Sequence, residues 1–146
     1  MGKRSSILFR KPLPTEERAA LRAFAKELSD KLLEGRTIVC LLSDDVHLHQ
    51  LNKEFLGHDF PTDVLSFPSG ETEELGELAI SLERATEQAI KQGHTLLEEL
   101  KILILHGALH LSGMDHEKDR GEMKRLETKW RKTLGLPAGL IERSRR

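Results

Sequence analysis

The 146-residue chain is 38% hydrophobic and 32% charged with a net charge of −1, the balance of one water-soluble domain over residues 1–146 with a modest core. Its longest apolar runs, Ile38 to Leu42 and Ile102 to Leu105, are far too short to cross a bilayer, and Ile7-Leu8-Phe9 is too short for the apolar stretch of a secretion signal. A single cysteine excludes an internal disulfide, and these features together predict a cytoplasmic protein with no membrane partner.

From the N-terminus, Ser6 to Phe9 reads as a short strand, ended by Pro12 and Pro14. Thr15 is the expected N-cap of a helix, with Glu16 and Glu17 in the first turn, where the helix dipole favours carboxylates. Ala19, Leu21, Phe24, Ala25, Leu28 and Leu32 follow at helical spacing, and Gly35 is the natural stop. Thr37 to Leu42 is β-branched and apolar and predicts a buried strand, with Cys40 as a small buried hydrophobe. Ser43 or Asp44 caps a helix through Val46, Leu48, Leu51 and Phe55 to Gly57.

Val64 to Phe67 predicts a strand, residues 69–74 an exposed acidic loop, and Gly76 to Ser81 a further strand with Leu78 and Ile80 on one face. Ser81 caps a helix ending near Gly93. Thr95-x-x-Glu98 is a capping box ahead of a helix that is apolar on nearly all sides up to Leu111, which places it in the centre of the molecule. Gly113 ends it, and a charged amphipathic helix is expected from about Glu117 to Leu134, closed by Gly135 and Pro137. Strict βαβ alternation fails after residue 64. The fold class is therefore α+β, a small mixed sheet of about four strands packed with helices around the central buried one.

The near-neutral total conceals an asymmetry. Residues 117–146 hold ten Lys and Arg against five Asp and Glu, whereas residues 1–116 hold 13 against 19. The first eleven residues contribute Lys3, Arg4, Arg10 and Lys11 with no acid. Basic termini around an acidic middle fit a nucleic-acid footprint, and equally a set of solvated helix faces with a charged tail.

Chemistry concentrates at the end of the central helix, where His106, His110 and His116 stand in the order His-x3-His-x5-His. His106 and His110 are i and i+4, so they share one helix face about 6 Å apart along the axis. Two imidazoles so placed can converge on one ion at about 2.0–2.1 Å, and Gly113 lets the chain bend back so that His116 supplies a third nitrogen. A three-nitrogen site leaves a fourth position for water, as in catalytic zinc sites, where the pKa of that water falls to about 7. Bare imidazoles on a buried helix would be costly, which favours metal binding over a chance cluster. Asp115 would orient a ligand imidazole or assist proton transfer, or else cap the helix beginning near Glu117. His47 and His49 on different helix faces, and His58 and His94 at turns, read as ordinary surface histidines.

The spacing matches the metzincin peptidase frame H-E-x-x-H-x-x-G-x-x-H except that Gly107 replaces the glutamate that serves as base. Peptide hydrolysis by that route is thereby disfavoured, while phosphodiester hydrolysis depends more on stabilising phosphoryl charge. Three readings stay open: a zinc-dependent nuclease, another zinc hydrolase such as a peptidase or amidase with its carboxylate elsewhere, and a non-catalytic zinc-stabilised module that binds the ribosome or another partner.

The string His106-Gly107-Ala108-Leu109-His110-Leu111-Ser112-Gly113-Met114-Asp115-His116 resembles the signature of the bacterial YbeY-type endoribonucleases, also called ribosomal RNA maturation factors. Leu51-Asn52, Asp59 and Pro61-Thr62-Asp63-Val64-Leu65-Ser66-Phe67-Pro68 resemble a second block of that family, as do Gly76-Glu77-Leu78-Ala79-Ile80 and Glu122-Met123 with Glu127. The resemblance implies one zinc ion on His106, His110 and His116. It implies a single-strand-specific endoribonuclease acting on ribosomal RNA, in 3′-end maturation of the small-subunit RNA and in ribosome quality control, with the ribosome or assembly factors as partners in the bacterial cytoplasm. Asp115 and Ser66 are the candidates for catalysis, and Thr62 and Asp63 for substrate binding near the metal; turn and strand structure is the alternative role for Thr62, Asp63 and Ser66. One departure stands out. The family carries an arginine where this chain has Leu56, and a guanidinium can hold a phosphate bidentately where leucine cannot. His58 or a basic residue elsewhere would have to substitute.

Overall fold

A computed structural model describes residues 4–143; Lys3 of the basic N-terminal stretch, and Arg145 and Arg146 of the basic tail, lie outside the described residues. In chain order the elements are β1 (Ser6–Phe9), α1 (Thr15–Lys31), β2 (Thr37–Ser43), α2 (Asp45–Leu56), β3 (Val64–Pro68), β4 (Glu74–Ser81), α3 (Leu82–Gln92), α4 (Leu96–Leu111), α5 (Glu122–Thr133) and α6 (Leu140–Arg143). The four strands form one mixed sheet in the order β1-β2-β4-β3. β1 and β4 flank β2 in parallel, and β3 returns antiparallel along β4.

Alternation along the strands gives the sheet two unlike faces. Ile7, Ile38, Cys40, Leu42, Leu78 and Ile80 are buried on the face covered by α1 and α4. Leu65 and Ala79 face the other way and pack with Leu48 beneath α2. Burial pushes the Cys40 thiol up to about 12, so this cysteine behaves as an apolar filler. α4 is the hub of the fold and touches α1, α3, α5, α6, β3 and β4. Leu100, Leu103, Ile104 and Leu105 are among its fully buried side chains, each contributing about 1.5–3 kcal/mol by leaving water.

The helix starts follow from local chemistry. The Asp44 carboxylate accepts the His47 N–H, the Ser81 hydroxyl accepts the Arg84 N–H, and both halves of the Thr95–Glu98 capping box are made. Several boundaries depart from expectation. Pro14, not Thr15, is the N-cap of α1, because its ring holds the extended φ of −55° that enters a helix; Thr15 is the first helical residue, and its hydroxyl accepts from the Arg18 guanidinium. That helix ends at Lys31, before Gly35. β4 begins at Glu74, because Thr37 pairs with Glu74 ahead of a register shift. The short α6 carries too little apolar periodicity to be read from sequence.

Candidate metal centre and cleft

The last turns of α4 carry His106 and His110, and the reason that helix lies so close to the sheet is Gly107. A Cβ at this position would stand 2.4 Å from Leu78 Cδ2, inside any real contact distance. Residue 107 therefore points into the interface with β4, and a glutamate there would force the Leu78 side chain to move. Beyond α4, Gly113 adopts φ +102°, a conformation that side chains rarely take, and turns the chain back. Asp115 holds the returning loop: its Oδ1 accepts the Glu117 N–H, and its carbonyl accepts from Lys118 and Asp119.

This turn brings His116 against the other two. Ring centroids are 4.7 Å apart for His106 and His110, 5.6 Å for His106 and His116, and 5.5 Å for His110 and His116. One nitrogen of each lies within 4.8 Å of the others, and no fourth His, Cys, Asp or Glu joins them among the described residues.

Two of the rings are fixed from behind. His106 donates through Nδ1 to Glu127 Oε2 at 2.6 Å, with both side chains buried. His110 donates through Nδ1 to the Met114 carbonyl at 3.0 Å. Each bond sets the tautomer that leaves an Nε2 lone pair for an ion. Burial first, then the neighbouring His106 and His116, hold the His110 pKa below the ordinary imidazole value, favouring the neutral form that metals bind. Nδ1 of His116 is buried with no hydrogen-bond partner, a polar atom nothing in the protein satisfies. The three residues thus fit a metal ion.

A cleft of about 580 Å³ opens over this cluster, lined among others by Leu56, His58, Ser66, Met114, Asp115 and Glu117. β3 contributes Ser66 to it together with Val64, Leu65 and Pro68. Thr62 and Asp63 do not line the cleft. The Asp63 carbonyl accepts the Ser81 N–H, and burial holds its carboxyl above the usual range, with Glu99 adding to the shift and Arg143 opposing it. That environment belongs to the opposite end of α4.

α5 starts at Glu122 rather than Glu117. Gly121 sits at φ +94° and interrupts the helical path, while the Asp119 carboxylate accepts the Gly121 and Met123 N–H groups. Asp115 accordingly caps a turn, not a helix.

Of the histidines expected at the surface, His47 bonds the Ser43 hydroxyl at 2.8 Å and His49 bonds Asp59 at 2.7 Å. His94 is the exception. Its side chain is 7% exposed and bonds Glu99, five residues on, at 2.7 Å, and Glu99 in turn binds Arg143, 44 positions away. Sequence reasoning did not single out Glu127 as the partner of His106. A detectable signal was an acid four residues after the buried Met123, on the inward stripe of an amphipathic helix.

Known proteins agree with this geometry. The sequence pattern of the family described as Endoribonuclease YbeY matches residues 11–135. The endoribonuclease YbeY of Solibacter usitatus is 51% identical over 139 residues, 95% of this chain and 94% of that protein. The endoribonuclease YbeY of Helicobacter pylori strain Shi470 is 40% identical over 121 residues, 82% of this chain and 86% of that protein. The solution structure of TM1509 from Thermotoga maritima superimposes with a TM-score of 0.63 at 27% identity, covering 88% of this chain and 86% of that one. With a matching pattern along most of its length and three histidines gathered at the end of α4, the chain belongs to the endoribonuclease YbeY family, a family of RNA-cleaving hydrolases.

Proposed function

We propose that residues 1–146 act as a single zinc-dependent, single-strand-specific endoribonuclease domain in ribosomal RNA processing. Its role is 3′-end maturation of the small-subunit RNA and ribosome quality control in the cytoplasm, in contact with the ribosome or its assembly factors. The observation that carries this reading is the convergence of His106, His110 and His116 on one point with no fourth protein ligand among the described residues.

His106, His110 and His116 would hold the ion, and zinc in such a site supplies Lewis acidity toward a phosphoryl oxygen and activates water. Glu127 fixes the His106 ring, and the Met114 carbonyl fixes that of His110. The Ser66 hydroxyl, facing the cleft, would donate a hydrogen bond to the phosphodiester, and the Asp115 carboxylate would take up or return a proton. Thr62 and Asp63 lie outside the cleft wall, so their part would be the turn that leads into β3 rather than contact with substrate. A peptidase of the metzincin type would need a carboxylate at position 107, where a Cβ would meet the Leu78 side chain. A purely structural metal would call for a closed, four-ligand site.

The test is cleavage of a small-subunit precursor RNA by the full chain, before and after chelation and after zinc is returned. Cleavage of single-stranded segments that is lost on chelation and restored by zinc supports the reading. A zinc-loaded protein that cleaves no RNA contradicts it.

A further inference from the structure

The cleft over the histidines is poor in positive charge. None of its lining residues is Lys or Arg, and Leu56, 43% exposed, occupies its rim. A polyanion bound there needs cations from another source. The structure supplies them on the far side of His116. A second cavity of about 560 Å³ is lined by Arg120, Lys124 and Arg125 together with His116, Asp119 and Thr128. His116 is common to both cavities. The one acid of this second cavity, Asp119, is taken up by the Gly121 and Met123 N–H groups. The Arg120 guanidinium and the Lys124 ammonium have no ion-pair partner among the described residues.

The rim on the Leu56 side offers a different chemistry. His58 lines the cleft and stacks on Phe60, with ring centroids 5.3 Å apart and planes 10° from parallel. Phe60 is 53% exposed, and Phe55, at 64%, is the other phenylalanine on the surface of this region. The pair is held rigidly. Buried Asn52 accepts the His58 N–H on its carbonyl and donates its side-chain amide to the Phe60 carbonyl, while Asp59 between them bonds His49. An exposed aromatic pair on a pinned loop is a surface on which an unpaired base can stack.

We infer that single-stranded RNA is recognised here in two separated halves: Arg120, Lys124 and Arg125 take its phosphates, His58 and Phe60 take a base, and the strand crosses His116 between them. The basic surface of α5 then performs the phosphate-holding that Leu56 cannot. This rests on the endoribonuclease reading and adds the residues that position the substrate. It also accounts for the basic excess of the C-terminal segment at three named positions. All five are positioning residues.

The two halves have different signatures in solution. Binding of a fluorescent single-stranded RNA oligonucleotide is measured on the zinc-loaded full chain over a range of salt concentrations, with zinc content checked for every variant. The double variant Arg120→Ala, Lys124→Ala should reduce the slope of log affinity against log salt by about 1.4, at about 0.7 per single-strand phosphate contact. Phe60→Ala should weaken binding on the order of tenfold, the scale of one lost base stack, with the slope unchanged, and Phe60→Trp should restore it. An oligonucleotide with abasic positions should bind wild type and Phe60→Ala alike. If wild type cleaves RNA while the double variant keeps the full slope, or Phe60→Ala binds as wild type does, the inference is overturned and the endoribonuclease reading stands. If zinc-loaded wild type neither binds nor cleaves single-stranded RNA, both fall.

Discussion

α4 carries a polar cluster at each end, and the two are built on opposite principles. At its first turns Glu99, fully buried, receives both terminal nitrogens of Arg143 at 2.8 and 2.5 Å and the His94 ring at 2.7 Å. Each of those charges finds its partner within the protein. At the last turns His106, His110 and His116 gather one nitrogen each within 4.8 Å of the others, and the buried Nδ1 of His116 has no partner in the protein. Buried polar groups are costly unless paired, so a cluster that closes on itself is architecture, whereas one left open is matched to something from outside. A histidine is present in both, so residue type alone does not separate a site from a brace; the partners do.

Breaking the closed cluster should have the largest effect on stability. Glu99→Gln strands the Arg143 charge in the interior and should cost about 3–5 kcal/mol of unfolding free energy, with zinc content per folded chain unchanged. Denaturant unfolding with metal analysis of the folded fraction checks both halves of that statement, and loss of metal alongside stability would erase the distinction between the two ends.

The second test concerns α6, which ties the C-terminal segment to α5. Arg131, donating from two nitrogens to Glu142, lowers that carboxyl from 4.5 to about 2. Because the folded pKa is depressed, the stabilisation is fully present above pH 4.5 and disappears as pH falls through about 2. Glu142→Gln should therefore cost about 3 kcal/mol at neutral pH, at about 1.36 kcal/mol for each pH unit between the two values, with the gap to wild type closing between them. A gap independent of pH would assign the loss to packing instead.

The smallest effect falls on the residue that joins the two regions. Glu127 holds His106 with one oxygen and the Ile141 N–H with the other. Glu127→Gln should weaken zinc binding about ten- to hundredfold, about 1.4–2.7 kcal/mol, by spoiling the acceptor that fixes the ring. Competition with a chromophoric chelator reads this directly, and an unchanged affinity would make Glu127 a brace for α6 alone.

What sequence reveals divides along the same line. The histidines, Gly113 and the capping box lie within about 22 residues of one another, and helical periodicity places them in space. Glu127 meets His106 across 21 positions and Arg143 meets Glu99 across 44, so neither pairing follows from local pattern. His94 does stand at the turn between α3 and α4, but its side chain is buried against Glu99 and is not at the surface. The start of α5 was misplaced because the charge pattern runs continuously through Gly121, where the backbone is not helical. Mixed strands in a four-strand sheet were foreseeable from composition and spacing, but the order that puts β4 between β2 and β3 is a product of long-range pairing.

The most direct measurement compares His110→Ala with His94→Ala, scoring bound zinc and cleavage of single-stranded RNA in each purified protein. The account predicts that His110→Ala folds but loses both metal and cleavage, while His94→Ala is less stable yet keeps one zinc per chain and cleaves RNA. Cleavage that survives in metal-free His110→Ala, or zinc lost from His94→Ala as well, would contradict it.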